Sequence, residues 1–276
     1  MGFPIRAMLF TTLLLSIGST TLAAPKAELW SRWQANDPHS TLSIDHSLWG
    51  EFLERYLVTA KPGATNLVRY TAVSAADKSS LADYLAVLSA TPMTKLNRAE
   101  QKAAWINLYN ALTVHTILEH YPLQSIREIS SGWFSRGPWD QKLIRVEGVE
   151  LSLNDIEHRI LRPIWQDNRV HYAVNCASLG CPNLQPEPFS TENSDRLLTA
   201  AAREFINSPR GAMFNNGKLQ LSSIYDWFQV DFGNSSAGVI AHLKQYASPD
   251  LKEKLHNYSG SINYDYNWNL NIKQAD

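Results

Sequence analysis

The segment from Asn97 to His120 constrains this chain most. Asn97-Arg98-Ala99-Glu100 has the spacing of a capping box, with Asn in place of the usual Ser or Thr, and Tyr121-Pro122 supplies the stop. Between them the sequence is apolar almost all round, which predicts a long buried helix that the rest of the fold must surround. At 100° per residue, Ala103, Ile106, Val114, Ile117 and Leu118 share a face, and Asn107 and Asn110 fall in its middle. A buried carboxamide without partners costs about 1–3 kcal/mol. This pair is therefore either a clamp on neighbouring backbone or part of a site.

Around that helix the elements are short. Ser47 to Val58 and Ser74 to Ser89 read as helices, broken by Lys61-Pro62-Gly63 and Thr91-Pro92. Lys142 to Leu151 reads as a hairpin turning at Glu147-Gly148, with Glu147 and Glu150 solvated. Ser152-Leu153-Asn154-Asp155 opens a helix to Leu161 that ends before Pro163. Glu157 sits inside the apolar stripe of that helix, with His158 on its flank. A carboxylate aimed at a core needs a cation, several N–H donors or a raised pKa; the plain partner is an arginine such as Arg127, Arg162 or Arg169. Val170 to Asn175 alternates as a strand. Asp195 to Asn207 reads as an amphipathic helix, Ala212 to Leu221 as a hairpin around Asn216-Gly217, and Ser222 to Val230 and Ala237 to Tyr246 as further helices. Tyr264 to Asn269 alternates aromatic and polar residues, as an edge strand or an ordered extension. The expected class is α+β: one mixed domain with several helices around a small, mainly antiparallel sheet.

The first 24 residues read as an export signal: Arg6, an apolar run from Ala7 to Ile17, and small residues before Pro25. The run is too short for a membrane span of ~20 residues, and no later stretch is long enough either. The expectation is a soluble protein, periplasmic or secreted after cleavage. A formal net charge of −1 and the lack of a basic block give no reason to expect a nucleic-acid partner. The nine Trp and eleven Tyr fit core packing first and ring stacking on a glycan second. A small molecule, a peptide and a glycan all remain open as ligands.

Chemistry concentrates in Arg169 to Leu184, which holds the only two cysteines, Cys176 and Cys181, with His171 and Asn175 just ahead of them. Several surrounding motifs carry a resemblance: Trp105-Ile106-Asn107-Leu108-Tyr109-Asn110, Tyr121-Pro122 with Ser125-Ile126, Gly148 with Leu151-Ser152-Leu153, and Ile156-Glu157-His158 with Leu161-Arg162. To these add His171-Tyr172-Ala173 through Asn175-Cys176 to Cys181-Pro182, and Tyr225-Asp226-Trp227-Phe228 with Asp231-Phe232. Together they resemble the "domain of unknown function 547" family of bacteria and plants over about residues 96–232. The remainder divides into a leader (1–24), an N-terminal helical segment packed on the domain (25–95), and a C-terminal helix and extension of the same domain (233–276). The resemblance implies a fold family and marked residues, not a reaction. It also includes members without export signals, in whose cytosol thiols stay reduced.

Three readings of the cysteines follow. As a thiol enzyme, Cys181 is the favoured nucleophile over Cys176 with His171 as base, because in a straight strand His171 and Cys176 stand ~16 Å apart while the loop from Ala177 to Gly180 can return Cys181. Glu157, His158, Asn107 and Asn110 are the candidates to orient or polarise. That chemistry resembles papain-like or transglutaminase-like acyl transfer on peptide-like or cell-envelope amide bonds. As a structural element, Cys176 and Cys181 form a disulfide in a non-catalytic envelope binding protein. As a metal clip, Cys176, Cys181, His171 and His158 hold zinc, although the spacing is not that of a standard finger. No other cofactor motif is present.

Overall fold

The computed structural model describes residues 25–129 and 137–274; the leader read over 1–24 lies outside the described residues. Helix α1 (Ser47–Tyr56) buries Trp49, Phe52, Leu53 and Tyr56 and runs into β1 (Leu57–Val58), which pairs antiparallel with β2 (Leu67–Val68). Helix α2 (Ala75–Ala90) is capped by Ser74, whose side chain accepts the Asp77 N–H at 3.0 Å. The long helix α3 (Arg98–His120) is buried along most of its length, as its sequence predicts. Asn97 caps it, accepting the N–H groups of Ala99 and Glu100 at 3.1 and 3.0 Å. Glu100 does not reciprocate as in a capping box. Its carboxylate accepts instead from the Ile44 N–H (2.8 Å) and the Thr191 hydroxyl (2.7 Å), tying the start of α3 to two distant segments.

Strands β3 (Ile144–Val146) and β4 (Val149–Leu151) form the expected hairpin, with Glu147 and Gly148 at positive φ as a tight turn requires. Glu147 is not solvated: it accepts from the Thr94 N–H and hydroxyl at 2.7 and 2.9 Å and pairs with Arg32. The helix after the hairpin also departs from its reading. Asp155–Leu161 is a π-helix that runs on into α4 (Arg162–Trp165), so Pro163 does not end it. The wider register lets the Arg162 N–H reach the Glu157 carbonyl. The carbonyls of His158 and Arg159, which a proline at 163 cannot serve, accept from the N–H groups of Glu28 and Trp30 at 2.9 and 3.0 Å.

Val170–Ala173 is a helical turn, α5, and not a strand. Val170 through Asn175 are all buried, so alternation carried no face information, and a short apolar run suits either conformation. The ~16 Å separation of His171 and Cys176 falls with the strand, because a helical turn rises only ~1.5 Å per residue.

Helix α6 (Ser194–Ile206) is followed by the hairpin of β5 (Ala212–Asn215) and β6 (Lys218–Ser222), then α7 (Ile224–Trp227), a 3-10 turn at Gln229–Phe232, α8 (Ser236–Tyr246) and α9 (Pro249–Lys254). β7 (Ile262–Asp265) returns to pair parallel with β6. The α+β class holds, with small separate sheets and one parallel pairing.

Two apolar cores result. The larger surrounds α3, and includes Trp33 edge-to-face with Trp105 at 5.1 Å. The smaller lies between α6, β5, β6 and α8. Helix α6 belongs to both, giving Leu197 and Leu198 to one and Ala201, Ala202, Phe205 and Ile206 to the other. Trp33 lies in the segment ahead of α1, so its replacement tests whether residues 25–46 are integral. Trp33→Ala is expected to lower unfolding free energy by about 3–5 kcal/mol, read by urea denaturation; an unchanged midpoint would make that segment an appendage.

Candidate functional site

Both buried asparagines of α3 hold backbone. The Asn107 carboxamide pairs with both main-chain groups of Phe189, donating to its carbonyl at 2.7 Å and accepting its N–H at 2.9 Å. Asn110 donates to the Ala173 carbonyl at 2.9 Å and accepts the Asn175 N–H at 2.8 Å. This is the clamp geometry of the two alternatives. Its effect reaches the cysteines: Asn175 in turn donates to the Pro182 carbonyl (2.7 Å) and accepts the Ala177 N–H (2.9 Å), closing the loop that carries Cys176 and Cys181.

A second cluster gathers Glu157, His158 and His171 with two residues the sequence marked only as motif members or possible ion partners. His171 Nε2 donates to Asp231 Oδ2 at 2.7 Å, and its Nδ1 lies 3.6 Å from Glu157. Arg162 Nε donates to the same Asp231 oxygen at 2.6 Å, while its Nη1 donates to His158 Nδ1 at 3.0 Å. Phe228 stacks on the His171 ring at 4.5 Å and lies under the Arg162 guanidinium. Burial alone would raise the pKa of Glu157, but His158, His171 and Arg162 bring it down to about 2. Asp231 likewise overcomes its burial, through His171 and Arg162, and falls to about 2. Burial works against a charged His171, yet Asp231 and Glu157 raise its pKa. His158 goes the other way, pushed down to about 4 chiefly by burial, which fits a neutral ring accepting from Arg162.

The cysteines form the third group. They are free thiols whose sulfurs stand 2.7 Å apart, beyond the ~2.05 Å of a disulfide. Cys181 is buried and accepts the Cys176 N–H at 2.9 Å; Cys176 is half-buried. The hydroxyls of Ser178 and Tyr266 each lie 3.1 Å from Cys176 Sγ. Burial opposes the Cys176 thiolate, but hydrogen bonds from Cys181, Ser178 and Tyr266 outweigh it and lower the pKa. Cys181 is raised well up, by burial and by the negative charge of its neighbour. The pair therefore loses its first proton from Cys176 and keeps the other on Cys181. Ala177, next to Cys176, has φ +57°, a left-handed conformation costing about 1–2 kcal/mol for a residue with a Cβ. Bonds from its N–H to Asn175 and to its carbonyl from the Asn271 N–H hold it there.

The C-terminal tail finishes this site. Leu179 and Gly180 donate to the carbonyls of Asn269 and Asn267 at 2.7 and 2.8 Å, and Val68 donates to Asn271 at 2.8 Å. Gly180 is required by that approach: a Cβ there would stand 2.8 Å from the Asn267 nitrogen. Tyr266, delivered by the same strap, packs against Trp227 and Trp268 at 4.8 and 4.6 Å. Its aromatic-polar alternation was visible in the sequence; its contact with Cys176 was not.

His171 is not among the hydrogen-bond partners of either cysteine. Buried Tyr109 interacts with both groups: its ionisation is opposed by burial, by Glu157 and by both sulfurs. The four residues of the zinc reading divide between the two groups, and among the described residues no three or more His, Cys, Asp or Glu side chains are placed to hold a metal ion.

Residues 93–206 match the family model described as "Protein of unknown function, DUF547", in keeping with the resemblance carried by the motifs. The matched span ends with α6, short of Asp231 and Tyr266. Comparison with curated proteins and with solved structures gives no match.

Two outcomes follow from this geometry. Asn107→Ala strands the Phe189 N–H and carbonyl, and should cost about 2–4 kcal/mol in chemical denaturation; a loss under 0.5 kcal/mol would show that Asn107 does not clamp. Stability should also be acid-sensitive. His158 titrates lower in the folded chain than in the unfolded one, so stability falls as pH drops from about 6.5 towards 4. Glu157 and Asp231 add a further loss from about 4.5 towards 2. His171 has the opposite sign, its contribution fading as pH rises above its raised pKa. A melting temperature measured across pH 3–9 should peak near neutrality, and His158→Gln should flatten the acid limb between pH 6.5 and 4.

Proposed function

We propose that this chain is an exported thiol–disulfide exchange protein in which Cys176 is the nucleophile and Cys181 the resolving thiol. The observation that carries the reading is the asymmetry of the pair: the Cys176 sulfur, on a half-buried residue and lowered in pKa by three hydrogen bonds, stands 2.7 Å from the sulfur of buried Cys181, which is raised. Low-pKa, accessible thiols beside a second cysteine are the ones that exchange. The Cys176 thiolate attacks one sulfur of a substrate disulfide, and the other sulfur leaves as a thiolate with the electron pair. Cys176 now carries no charge, so the restraint on ionising Cys181 is lifted. Cys181 passes its proton to the released thiolate and attacks Cys176 Sγ, expelling the second substrate sulfur. The substrate disulfide is reduced, and the protein holds a Cys176–Cys181 disulfide until another dithiol resets it. Export through residues 1–24 is part of the same reading, since an oxidising compartment supplies disulfide substrates.

Acyl transfer on a peptide-like or envelope amide is the second reading. It is favoured by the Ser178 and Tyr266 hydroxyls, protic groups at Cys176 able to serve a leaving amine. It takes Cys176 in place of Cys181 as nucleophile, and does not use His171 as base, because that ring is held by Asp231 and Glu157.

The test is alkylation of the reduced full chain, read by intact mass and peptide mapping. Cys176 should label with a half-maximal pH below the ~8.5 of an ordinary thiol, at least tenfold faster than Cys181 at pH 7. Cys181→Ser should accumulate a mixed disulfide at Cys176 with a disulfide peptide. Equal labelling of both cysteines would refute the exchange reading. A thioester formed at Cys176 with an activated ester and then hydrolysed, regenerating the thiol, would select acyl transfer. A pair that stays oxidised and unreactive would leave the binding-protein role.

A further inference from the structure

Beside the thiol pair lies a small cavity of about 70 Å³ lined by Gly180, Arg210, Gln220, Asp265, Tyr266 and Asn267, together with two apolar residues. Its one cation is Arg210. That guanidinium is largely buried and lies against the Phe205 ring at 5.6 Å. It donates to the Thr65 hydroxyl and to Asn183 Oδ1 (2.7 Å), and its Nε is buried without a partner. Among the described residues no carboxylate forms an ion pair with it. An arginine has five donors and strongly favours a planar anion. Burial lowers its pKa here, against the negative charge of Glu204, which raises it from beyond ion-pair distance and reaches it only through Asn183.

We infer that this cavity is a subsite for a single carboxylate of the substrate, held by Arg210 at the Gly180 and Tyr266 edge of the thiol site. The inference rests on the reading of Cys176 as a nucleophile. Two features set the ligand's class. Arg210 is the single cation on the lining, which suits a monoanion held by one guanidinium fork. Asp265, also on the lining, brings a negative charge that disfavours a dianion such as phosphate. The substrate is thus a disulfide or thiol compound with a carboxylate near its sulfur, as an acidic side chain or a chain terminus would supply.

The experiment compares two disulfide reagents on the full chain: one bearing aromatic carboxylates, dithiobis(nitrobenzoate), and one neutral, dithiodipyridine. The ratio of their rates at Cys176 should fall about tenfold in Arg210→Met and less in Arg210→Lys, which keeps the charge but loses the fork. On wild-type protein, acetate should compete with the carboxylate reagent, leave the neutral one unaffected, and raise the melting temperature; phosphate at equal ionic strength should do neither. These acetate arms need no variant to fold. A rate ratio unchanged by Arg210→Met, or acetate without effect on rate and melting, overturns the subsite. Phosphate acting as strongly as acetate reduces it to a general anion site and overturns the carboxylate assignment. If neither reagent reacts faster at Cys176 than with an ordinary thiol, the exchange reading fails, while the acetate melting shift still decides the subsite.

Discussion

The buried charge network around Asp231 is the interaction on which the rest of the arrangement depends. Its members come from three places: Glu157, His158 and Arg162 from the π-helix and its continuation, His171 from α5, and Asp231 from the turn after α7. Each charge has an opposite or hydrogen-bonded neighbour, which is the condition for keeping ions out of water. Breaking such a set by removing one member strands the others, so the network fixes how the segment after α6 sits on the larger core. The π-register is part of the same device. It turns Glu157 and His158 inward together, and its exposed carbonyls are served by the N-terminal segment.

The thiol site is built on that frame from the opposite direction. Asn110 of the central helix positions Asn175, Asn175 closes the cysteine loop, and the tail straps the loop down through three main-chain bonds. Sulfur chemistry and charge network are thus adjacent but separately wired. Trp227 packs on Tyr266 of the thiol site, and its neighbour Phe228 stacks on His171. The two aromatics of one short segment are where the groups meet.

Much of the frame was legible in the sequence because it rests on local signals. The central helix, its Asn97 cap, the hairpin turns at Glu147-Gly148 and Asn216-Gly217, and the α+β class follow from periodicity, capping and turn chemistry. The misreadings share a cause: surroundings supplied from far along the chain. Val170 to Asn175 is buried throughout, so its alternation meant nothing, and the helix crossing Pro163 survives only because a segment more than 120 residues earlier serves its carbonyls. Glu147 looked solvated because its partners, Thr94 and Arg32, are distant in sequence. For the site, the cysteines, His171, Glu157 and the two asparagines stand out in the sequence by type and spacing. Their grouping was not readable, because Asp231, Tyr266 and Arg210 reach them only through the tertiary fold.

The strap formed by the last residues has a consequence for how the chain comes into being. Tyr266 and the carbonyls of Asn267 and Asn269 are made after everything else in the site. Until they emerge, Cys176 lacks one of its hydroxyl donors and the loop from Ala177 to Cys181 lacks its anchor. A chain cut ahead of Tyr266 therefore leaves Cys176 short of a hydrogen-bond donor and its loop without a strap. The bonds that lower the Cys176 pKa are thus assembled only once a residue 90 positions further along has been made.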